Sequence, residues 1–524
     1  MPRVILLAFG FVWFAQAATA APMVLHRGNT AEPETLDPQK TYIDQTGNIV
    51  LDLFVGLTTY DAASNPIPGA AVSWTVSPDG LTYTFKLRPH QWSDGAPVTA
   101  EDVALGVSRA LDPKTASQLA NLGFCIKNAV PVNAGKMPLD KLGVRVVDKA
   151  TIEIKVENPC PTLIAALAEP PFTAVPAHTL KKHGDAWAKP GNMVSNGAYT
   201  LAEWRPNDRV RIVKNKRFYD AANVAIDEVI YFPIEDDAAA LKRLRAGEID
   251  LNIRVSPGDV AWLRANMPGV LRATPASSVA DLAVNHTSKK FKDMRVRRAL
   301  ALAIDRETIG KSIAKLDQKP AYGVVPPMGR GYANRRFDFA TMKLSDRQAE
   351  ARRLLATAGY GPANPLTFTL RQRVGVAHQR AAIAMQNDWA KIGVKVDILT
   401  SELKSHYAAM NVADFDIGAV GLAWPADPEY FLSDLLPTAG TNYGRYASDA
   451  YVTKLRQGQA EVDVAKRFAL FAEAEAVALA DVAMIPLYFE TTRNIVATHV
   501  KGFVDNPRDF HPTRFMRVEK KTPR

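Results

Sequence analysis

The sequence has few of the residues and motifs that mark catalytic or metal centres. It contains 2 cysteines and 9 histidines among 524 residues, and the histidines are scattered. It has no G-x-S-x-G, H-E-x-x-H or G-x-x-x-x-G-K-[ST] motif, and no G-x-G-x-x-G follows a strand pattern. The common signatures of serine hydrolases, zinc proteases and nucleotide-binding enzymes are therefore absent. We expect no catalytic residue, no metal site and no cofactor.

The two cysteines, Cys125 and Cys160, leave two alternatives open. In an oxidising compartment an isolated pair of cysteines often forms a disulfide. Buried free thiols are also common in protein cores. Both residues fall within one predicted domain, which would allow a Cys125–Cys160 disulfide.

Beyond its first 20 residues the sequence has no long uninterrupted apolar stretch. Those residues combine Arg3, an apolar run over 4–14 and the small residues Ala18-Thr19-Ala20, the pattern of a cleaved secretory signal peptide. The run is shorter than the roughly 20 residues that span a bilayer. We expect cleavage after Ala20, or alternatively after Ala17, and no lipid anchor because no cysteine follows the run. The sequence therefore predicts a periplasmic protein without direct membrane insertion.

Basic residues are in excess but are not concentrated. The net charge is +10 and the pI is about 9.3. The basic residues lie among acidic ones, and basic runs are short, as at Lys520-Lys521. A nucleic-acid groove would need a basic stripe interleaved with stacking aromatic residues. We therefore expect no nucleic-acid partner.

The stretch from Leu81 to Val103 carries the densest local signals. Apolar residues alternate with polar ones from Leu81 to Leu87, which predicts a half-buried strand. Ser93-Asp94-Gly95 predicts a turn, because Asp folds back on its own backbone and Gly accepts a positive φ. Thr99 precedes Asp102 by three residues, a variant of the capping box that predicts a helix over 100–111.

The remainder of the chain reads as a mixture of strands and helices. A helix over 377–391, a glycine at 393 and an alternating strand follow each other, as in α/β proteins. Ser345 and Gln348 predict a capping box for a helix that ends at Gly359. We therefore predict a mixed α/β fold, with two or three domains from the length of the chain.

One segment joins an apolar strand to a helix start and carries an aromatic residue and an acid. It runs from Trp424 through Asp427 to Tyr430. An aspartate beside an apolar wall pairs strongly with an ammonium group. The alternative interpretation of Asp427 is an N-cap of the following helix.

Several pieces of the sequence together resemble the extracytoplasmic solute-binding proteins of family 5, and especially the oligopeptide-binding members of that family. The resemblance covers about residues 25–503, nearly all of the mature chain. The pieces that carry it include Leu36-Asp37-Pro38, Trp92-Ser93-Asp94-Gly95, Asn196-Gly197-Ala198-Tyr199, Gly247-Glu248-Ile249-Asp250 and Arg295-Val296-Arg297-Arg298-Ala299-Leu300.

The resemblance implies a two-lobe periplasmic-binding-protein fold of type II with an extra inserted domain. After a signal peptide over 1–20, domain I would comprise 21–54, 185–277 and 486–524. Domain II would be an insertion over 55–184 that contacts ligand little, and domain III would span 278–485. Ligand would bind between domains I and III, which close about a hinge.

The family's site residues carry over to this sequence by position. The resemblance implies that a peptide adds as a β-strand to Tyr42-Ile43-Asp44 in one lobe and to Gly421-Leu422-Ala423 in the other. Asp427 would receive the peptide's ammonium group, in a frame that begins at Trp424. In a second alignment, Asp427-Pro428 matches a later acidic-Pro step.

The basic residues that would meet a peptide's carboxylate differ from the family pattern. Its arginines fall on Gly421 and Met410 here, and one of its tyrosines falls on Leu119. His378 is retained, and the new basic candidates are Arg254, Arg371 and Arg373.

The resemblance also implies a function and partners. The chain would be a non-enzymatic, monomeric binding subunit that delivers oligopeptides to an inner-membrane ABC permease with cytoplasmic ATPases. The alternative is the same importer role for a non-peptide solute, such as an opine, an oligosaccharide or a metal complex.

Overall fold

The computed structural model describes residues 22–41, 44–310, 318–328 and 331–519. Strands and helices are mixed along the chain, so the predicted α/β class is confirmed. The strands are β1 Val24–Asn29, β2 Thr58–Tyr60, β3 Pro66–Pro68, β4 Ala71–Val76, β5 Thr82–Leu87, β6 Val144–Asp148, β7 Thr151–Lys155, β8 Tyr199–Arg205, β9 Arg209–Lys214, β10 Glu228–Pro233, β11 Leu251–Asn252, β12 Leu271–Val284, β13 Lys319–Pro320, β14 Thr367–Arg373, β15 Lys395–Ser401, β16 Ile417–Ala423, β17 Met484–Val496, β18 Val500–Lys501 and β19 Arg517–Val518.

The three longest helices lie in the second half of the chain. They are α1 Asp44–Leu53, α2 Ala100–Leu111, α3 Ala129–Asn133, α4 Leu163–Ala166, α5 Ala177–His183, α6 Asp237–Ala246, α7 Val260–Asn266, α8 Met294–Ala303, α9 Arg306–Thr308, α10 Leu344–Thr357, α11 Val376–Ala390, α12 Leu403–Asn411, α13 Pro428–Ser433, α14 Asp449–Ala460 and α15 Val464–Ala480. Within the described ranges, no helix is both long and apolar enough to cross a membrane.

One sheet of 11 strands connects two hydrophobic cores. Its order is β15-β14-β16-β12-β17-β11-β1-β10-β9-β8, with β13 paired to β17. The first core holds buried residues from the first half of the chain together with its C-terminal end, and the second core holds buried residues from 279–488. The sheet passes between them on β12, which has 14 residues, and β17, which has 13. These two strands are the covalent and hydrogen-bonded link between the cores.

The stretch from Leu81 to Val103 folds as its pattern predicts. β5 buries Tyr83, Phe85 and Leu87 in a four-stranded antiparallel sheet of order β4-β5-β7-β6. Helix α2 begins after Thr99, and both halves of the capping box are formed. Asp102 has a further role that the pattern did not predict, because its Oδ2 also accepts a hydrogen bond from the buried Trp92 indole at 3.1 Å.

The predicted capping box at Ser345 is wrong. Helix α10 begins at Leu344, two residues before the start that a cap at Ser345 would give, and its N-cap Lys343 makes no side-chain cap bond. Gln348 instead donates to the carbonyl oxygen of Ala303 at 3.3 Å, on the neighbouring helix α8. A tertiary contact has therefore replaced the local one.

Cys125 and Cys160 are joined by a disulfide in the structure, with their Cα atoms 6.3 Å apart. The bridge lies in the segment that the sequence assigns to domain II. The carbonyl of Cys160 accepts a hydrogen bond from the Tyr83 hydroxyl at 2.8 Å, which ties the bridge to β5.

We expect the purified protein, denatured without reductant, to give no reaction with a thiol reagent, and to give two thiols after reduction. The bridge spans a sequence separation of 35 residues, for which loop closure predicts a contribution of roughly 3–4 kcal/mol. The Cys125→Ala/Cys160→Ala variant should therefore melt at a lower temperature under non-reducing conditions. Two reactive thiols before reduction would contradict the pairing.

Candidate ligand-binding site

A cavity of about 470 Å³ lies where the two cores face each other, and we call it the main cavity. The second lobe contributes Ala423, Trp424 and Pro425, which follow directly from β16. The remaining lining residues come from the other side and are Thr41, Gly47, Leu119, Leu122, Glu169, Pro170, Arg508 and Phe510. Four of these belong to 55–184, the segment that the sequence analysis assigns to domain II.

Trp424 is the central residue of this wall. Its ring packs against both hydrophobic cores and stacks with Tyr430 at a centroid distance of 6.3 Å. The Tyr430 hydroxyl donates to the carbonyl of Thr162 at 3.5 Å, which is a contact from the second lobe to the segment 55–184. The structure therefore places Trp424 and Ala423, both predicted site residues, at the cavity.

One edge of β16 is unpaired next to the main cavity. β14 pairs with β16 only at Ile417 and Gly418. In the described part of the chain no strand pairs with 419–423 on that side. Ala419 uses its carbonyl to accept a hydrogen bond from the His406 ring at 2.9 Å.

The backbone groups of Gly421 and Ala423 point toward this unpaired edge. The amide of Trp424 donates to the carbonyl of Ser277 at 3.2 Å, next to the β12–β16 pairing. Hydrogen-bonded and non-hydrogen-bonded positions alternate in antiparallel pairs. Leu422 therefore faces β12 with its N–H and C=O groups, while those of Gly421 and Ala423 face away from it.

Asp427 is the N-cap of helix α13 and the partner of a buried arginine. Its Oδ1 accepts from the amide of Glu429 at 2.9 Å. Its two oxygens also accept from the Arg467 guanidinium at 3.0 and 3.1 Å. Arg467, whose side chain is 2% exposed, contacts Glu429 as well at 2.6 Å. The N-cap interpretation is confirmed, and the role of Asp427 as an ammonium acceptor stays a prediction.

Arg467 forms a closed ion-pair network with Asp427 and Glu429. Burial alone would lower the pKa of Arg467, but Asp427 and Glu429 outweigh that effect and raise it. Burial raises the pKa of Glu429, and Arg467 opposes that rise. A ligand ammonium group at Asp427 would have to compete with a guanidinium that is already in place.

The predicted basic residues divide into one that is paired and others that are not. Arg254 donates to Asp237 at 2.7 Å and to the carbonyl of Glu235 at 3.0 Å, and it does not line the main cavity. Arg371 and Arg373 lie on β14 and form no ion pair with a described residue. The buried Nε of Arg371 has no hydrogen-bond partner there.

Two histidines complete a group with these arginines, and we call Arg371, Arg373, His378 and His406 the basic group. Burial, then Arg373 and His406, lower the pKa of His378 to about 4. Burial also lowers the pKa of His406, and both arginines act in the same direction. The basic group thus lies at Ala419, where the free edge of β16 begins. Tyr42 lies outside the described residues, as does the side chain of Asp44 at the start of α1.

Asp434 is linked to the main cavity through Trp424. Its Oδ2 accepts from the Trp424 indole at 2.5 Å, and its Oδ1 accepts from the Thr441 hydroxyl at 2.5 Å. Burial raises the pKa of Asp434 to about 7, against the lowering effect of both hydrogen bonds. Nothing in the sequence around Asp434 indicated this role.

Replacing Asp427 should destabilise the protein. Asp427→Ala removes the α13 cap and leaves Arg467 with Glu429 as its remaining carboxylate partner, so we expect a loss of about 1–3 kcal/mol. Asp427→Asn keeps a good N-cap residue and should lose less. The check is the melting temperature of both variants, together with their ligand affinity. An unchanged melting temperature in Asp427→Ala would contradict the structural role.

The melting temperature should depend on pH through Asp434. The carboxyl has a pKa near 3.9 in an unfolded chain, so the folded protein holds the proton more tightly. The resulting stabilisation is complete below about pH 4 and is lost as pH rises through 7, by at most about 1.4 kcal/mol per pH unit. We expect the melting temperature of Asp434→Asn, relative to that of the wild type, to be higher at pH 8 than at pH 5. An equal difference at both pH values would contradict this.

Comparisons with known proteins agree with this architecture. The family described as "Bacterial extracellular solute-binding proteins, family 5 Middle" matches residues 65–443. The chain is 36% identical to the probable deoxycholate-binding periplasmic protein YgiS of Escherichia coli, over 95% of this chain and 94% of that protein. It is 33% identical to the periplasmic oligopeptide-binding protein OppA of the same organism, over 97% and 94%.

The solved structure of the Escherichia coli murein tripeptide binding protein MppA superposes with a TM-score of 0.84. The two chains are 32% identical, and the match covers 95% of this chain and 99% of MppA. The fold is therefore the two-lobe fold of solute-binding proteins, as the sequence predicted. The match to the family, together with these relatives over nearly the whole chain, places the protein in family 5 of the bacterial extracellular solute-binding proteins.

Proposed function

We propose that the protein is the periplasmic substrate-binding subunit of an ABC importer that captures oligopeptides in the main cavity. It would deliver them to an inner-membrane permease that is driven by cytoplasmic ATPases, and it would catalyse no reaction itself. The observation that carries the proposal is the free edge of β16 beside this cavity. The relatives OppA and MppA are named for binding oligopeptides and a murein tripeptide.

The geometry of the edge suits a ligand that is read through its main chain. The N–H and C=O groups of Gly421 and Ala423 are directed at the place where a neighbouring strand would lie. An added strand would pair with these groups whatever its side chains are. The small residues also leave room for the ligand, since a Cβ at Gly421 would have no heavy atom closer than 4.0 Å.

The basic group would receive the negative end of the ligand. Arg371 and Arg373 have no acidic partner among the described residues, and an arginine binds a carboxylate with two parallel hydrogen bonds. Both arginines lie near His406, which contacts Ala419 at the start of the free edge. A peptide carboxylate at this end of β16 would therefore meet uncompensated positive charge.

The domain division is part of the proposal. Domains I, II and III would have the boundaries that the sequence predicts, and β12 and β17 would act as the hinge. Their pairing shifts register between Pro275 and Val279, near Ser277, where the sheet passes from one core to the other. Such an irregularity is a place where a pair of strands can bend. Residues 1–20, proposed as a cleaved signal peptide, lie outside the described residues.

A second candidate ligand is an amphipathic carboxylate. The main cavity is lined largely by apolar side chains, among them Leu119, Leu122 and Phe510. The relative YgiS is named as a probable deoxycholate-binding protein. A bile-acid-like anion would place its apolar body against this wall and its carboxylate near the basic group. Such a ligand would not need the free edge of β16.

Gly421→Pro should distinguish an oligopeptide ligand from an amphipathic carboxylate. Proline removes the N–H that faces the free edge but is tolerated on a strand edge where that N–H meets solvent. We expect calorimetric affinity for a mixture of two- to five-residue peptides to fall about tenfold or more, equivalent to about 1.4 kcal/mol. Gly421→Ala is the matched control and should bind like the wild type.

Native mass spectrometry of the protein as purified would identify a retained ligand directly. A peptide retained by the wild type and lost from Gly421→Pro would support strand addition. Binding of deoxycholate by both, with no peptide binding by either, would favour the second candidate and contradict the first.

A further inference from the structure

A second cavity, of about 330 Å³, lies inside the second lobe between β12, β16 and the segment that follows α13. We call it the acidic cavity. Apolar side chains form much of its wall, and two aspartates, Asp281 and Asp434, line it together with polar and aromatic residues of the segment 441–444. The free space within it is small and is sufficient for one small polar group.

Asp281 is buried in this wall without a partner. The residue is 2% exposed, and its Oδ1 makes no hydrogen bond to any described residue. It sits on β12 opposite Val420, where the pairing of β12 with β17 shifts register between Ala280 and Asp281. Buried polar groups in native proteins nearly always have a partner. An unpartnered carboxylate that faces a cavity therefore needs an explanation.

The second carboxylate in the cavity does not supply that partner. Asp434 accepts hydrogen bonds from Trp424 and Thr441, both neutral donors. Burial, and then the charge of Asp434, raise the pKa of Asp281 well above its ordinary value. Burial of two like charges in one apolar cavity is costly unless a proton or a cation is held between them.

The titratable groups nearest the two aspartates are tyrosines. Tyr443 lines the cavity, and Tyr407 of α12 lies close enough for the charge of Asp281 to raise its pKa. No lysine, arginine or histidine is among the lining residues. Arg373 and Glu490, of opposite charge, also act on Tyr407 from beyond the cavity. Among the residues that the structure describes, none thus places a cationic side chain in the wall of the acidic cavity.

The acidic cavity is next to the main cavity. Leu422 of β16 lines the acidic cavity, while its neighbour Ala423 lines the main one. Trp424 lies between the two, because its ring lines the main cavity and its N–H contacts Asp434.

We propose that the acidic cavity receives a cationic group of the bound solute, an ammonium or a guanidinium, with Asp281 as its direct partner and Asp434 as the second carboxylate. The inference deepens the proposed function and rests on it, because the solute would reach the cavity from beside β16. In a peptide the cation would be either the α-ammonium group or a lysine or arginine side chain. A proton shared by two carboxyl groups is the competing explanation.

The test compares Asp281→Asn with the wild type by calorimetry, using Ala-Lys-Ala and Ala-norleucine-Ala, each free and N-acetylated. Asn has the shape of Asp without its charge, and it should not lower the melting temperature of the unliganded protein. Asp397→Asn is the control, since Asp397 is an exposed carboxylate on β15 of the same sheet. We expect the wild type and the control to bind the peptides that carry the recognised cation at least about tenfold more tightly than those that lack it. Asp281→Asn should lose that preference.

The four peptides distinguish the source of the cation. If a lysine side chain enters the acidic cavity, the lysine peptides should bind more tightly than the norleucine peptides. If the α-ammonium group enters it, the free peptides should bind more tightly than the acetylated ones. Peptide binding with the same preference in wild type and Asp281→Asn would overturn the inference and leave the proposed function intact.

A second measurement covers the case in which no peptide binds. Millimolar n-butylammonium and n-butylguanidinium, compared with sodium chloride at equal ionic strength, should raise the melting temperature of wild type and Asp397→Asn but not of Asp281→Asn. That result without peptide binding would support the cation site and contradict the oligopeptide proposal. No increase in any variant, together with no peptide binding, would contradict both.

Discussion

The antiparallel pairing of β12 with β17 is the interaction on which the rest of the structure depends. Both strands are long enough to leave one hydrophobic core and enter the other, so a single ladder of backbone hydrogen bonds carries the sheet across the molecule. The main cavity lies beside this crossing. β16 is held there because it pairs with β12, and its unpaired edge and Asp281 are both placed by that same strand.

The acidic residues of the second lobe fall into two sets. Those paired with a cationic side chain have a structural role, whereas those without such a partner are available to bind a ligand. Asp427 and Glu429 share the guanidinium of Arg467, so both carboxylates already have a charged partner. Asp434 is held by neutral donors, and Asp281 by none that the structure describes. Asp427, which the sequence made prominent, thus has the most complete charge compensation. Asp281 has the least, and no local sequence pattern indicated it.

The features that depend on contacts between residues close in sequence could be predicted, whereas those that depend on contacts between distant segments could not. The strand, turn and capped helix from Leu81 to Val103 depend on neighbours within a few residues, and all three form as predicted. Ser345 failed as a cap because Gln348 bonds to another helix. Asp427 could not be assigned because its partner Arg467 lies 40 residues away. The free edge of β16 depends on where β14 stops pairing, which no local pattern records.

The basic group and Asp281 both lie near the start of the free edge of β16. The basic group adjoins Ala419, and Asp281 of β12 is paired with Val420, while Asp434 contacts Trp424 beyond the end of the edge. Main-chain pairing along 419–423 would hold a ligand without regard to its side chains, and pairing alone does not select a direction. Charged groups beside the edge add a preference, because a misplaced ligand would bring like charges together.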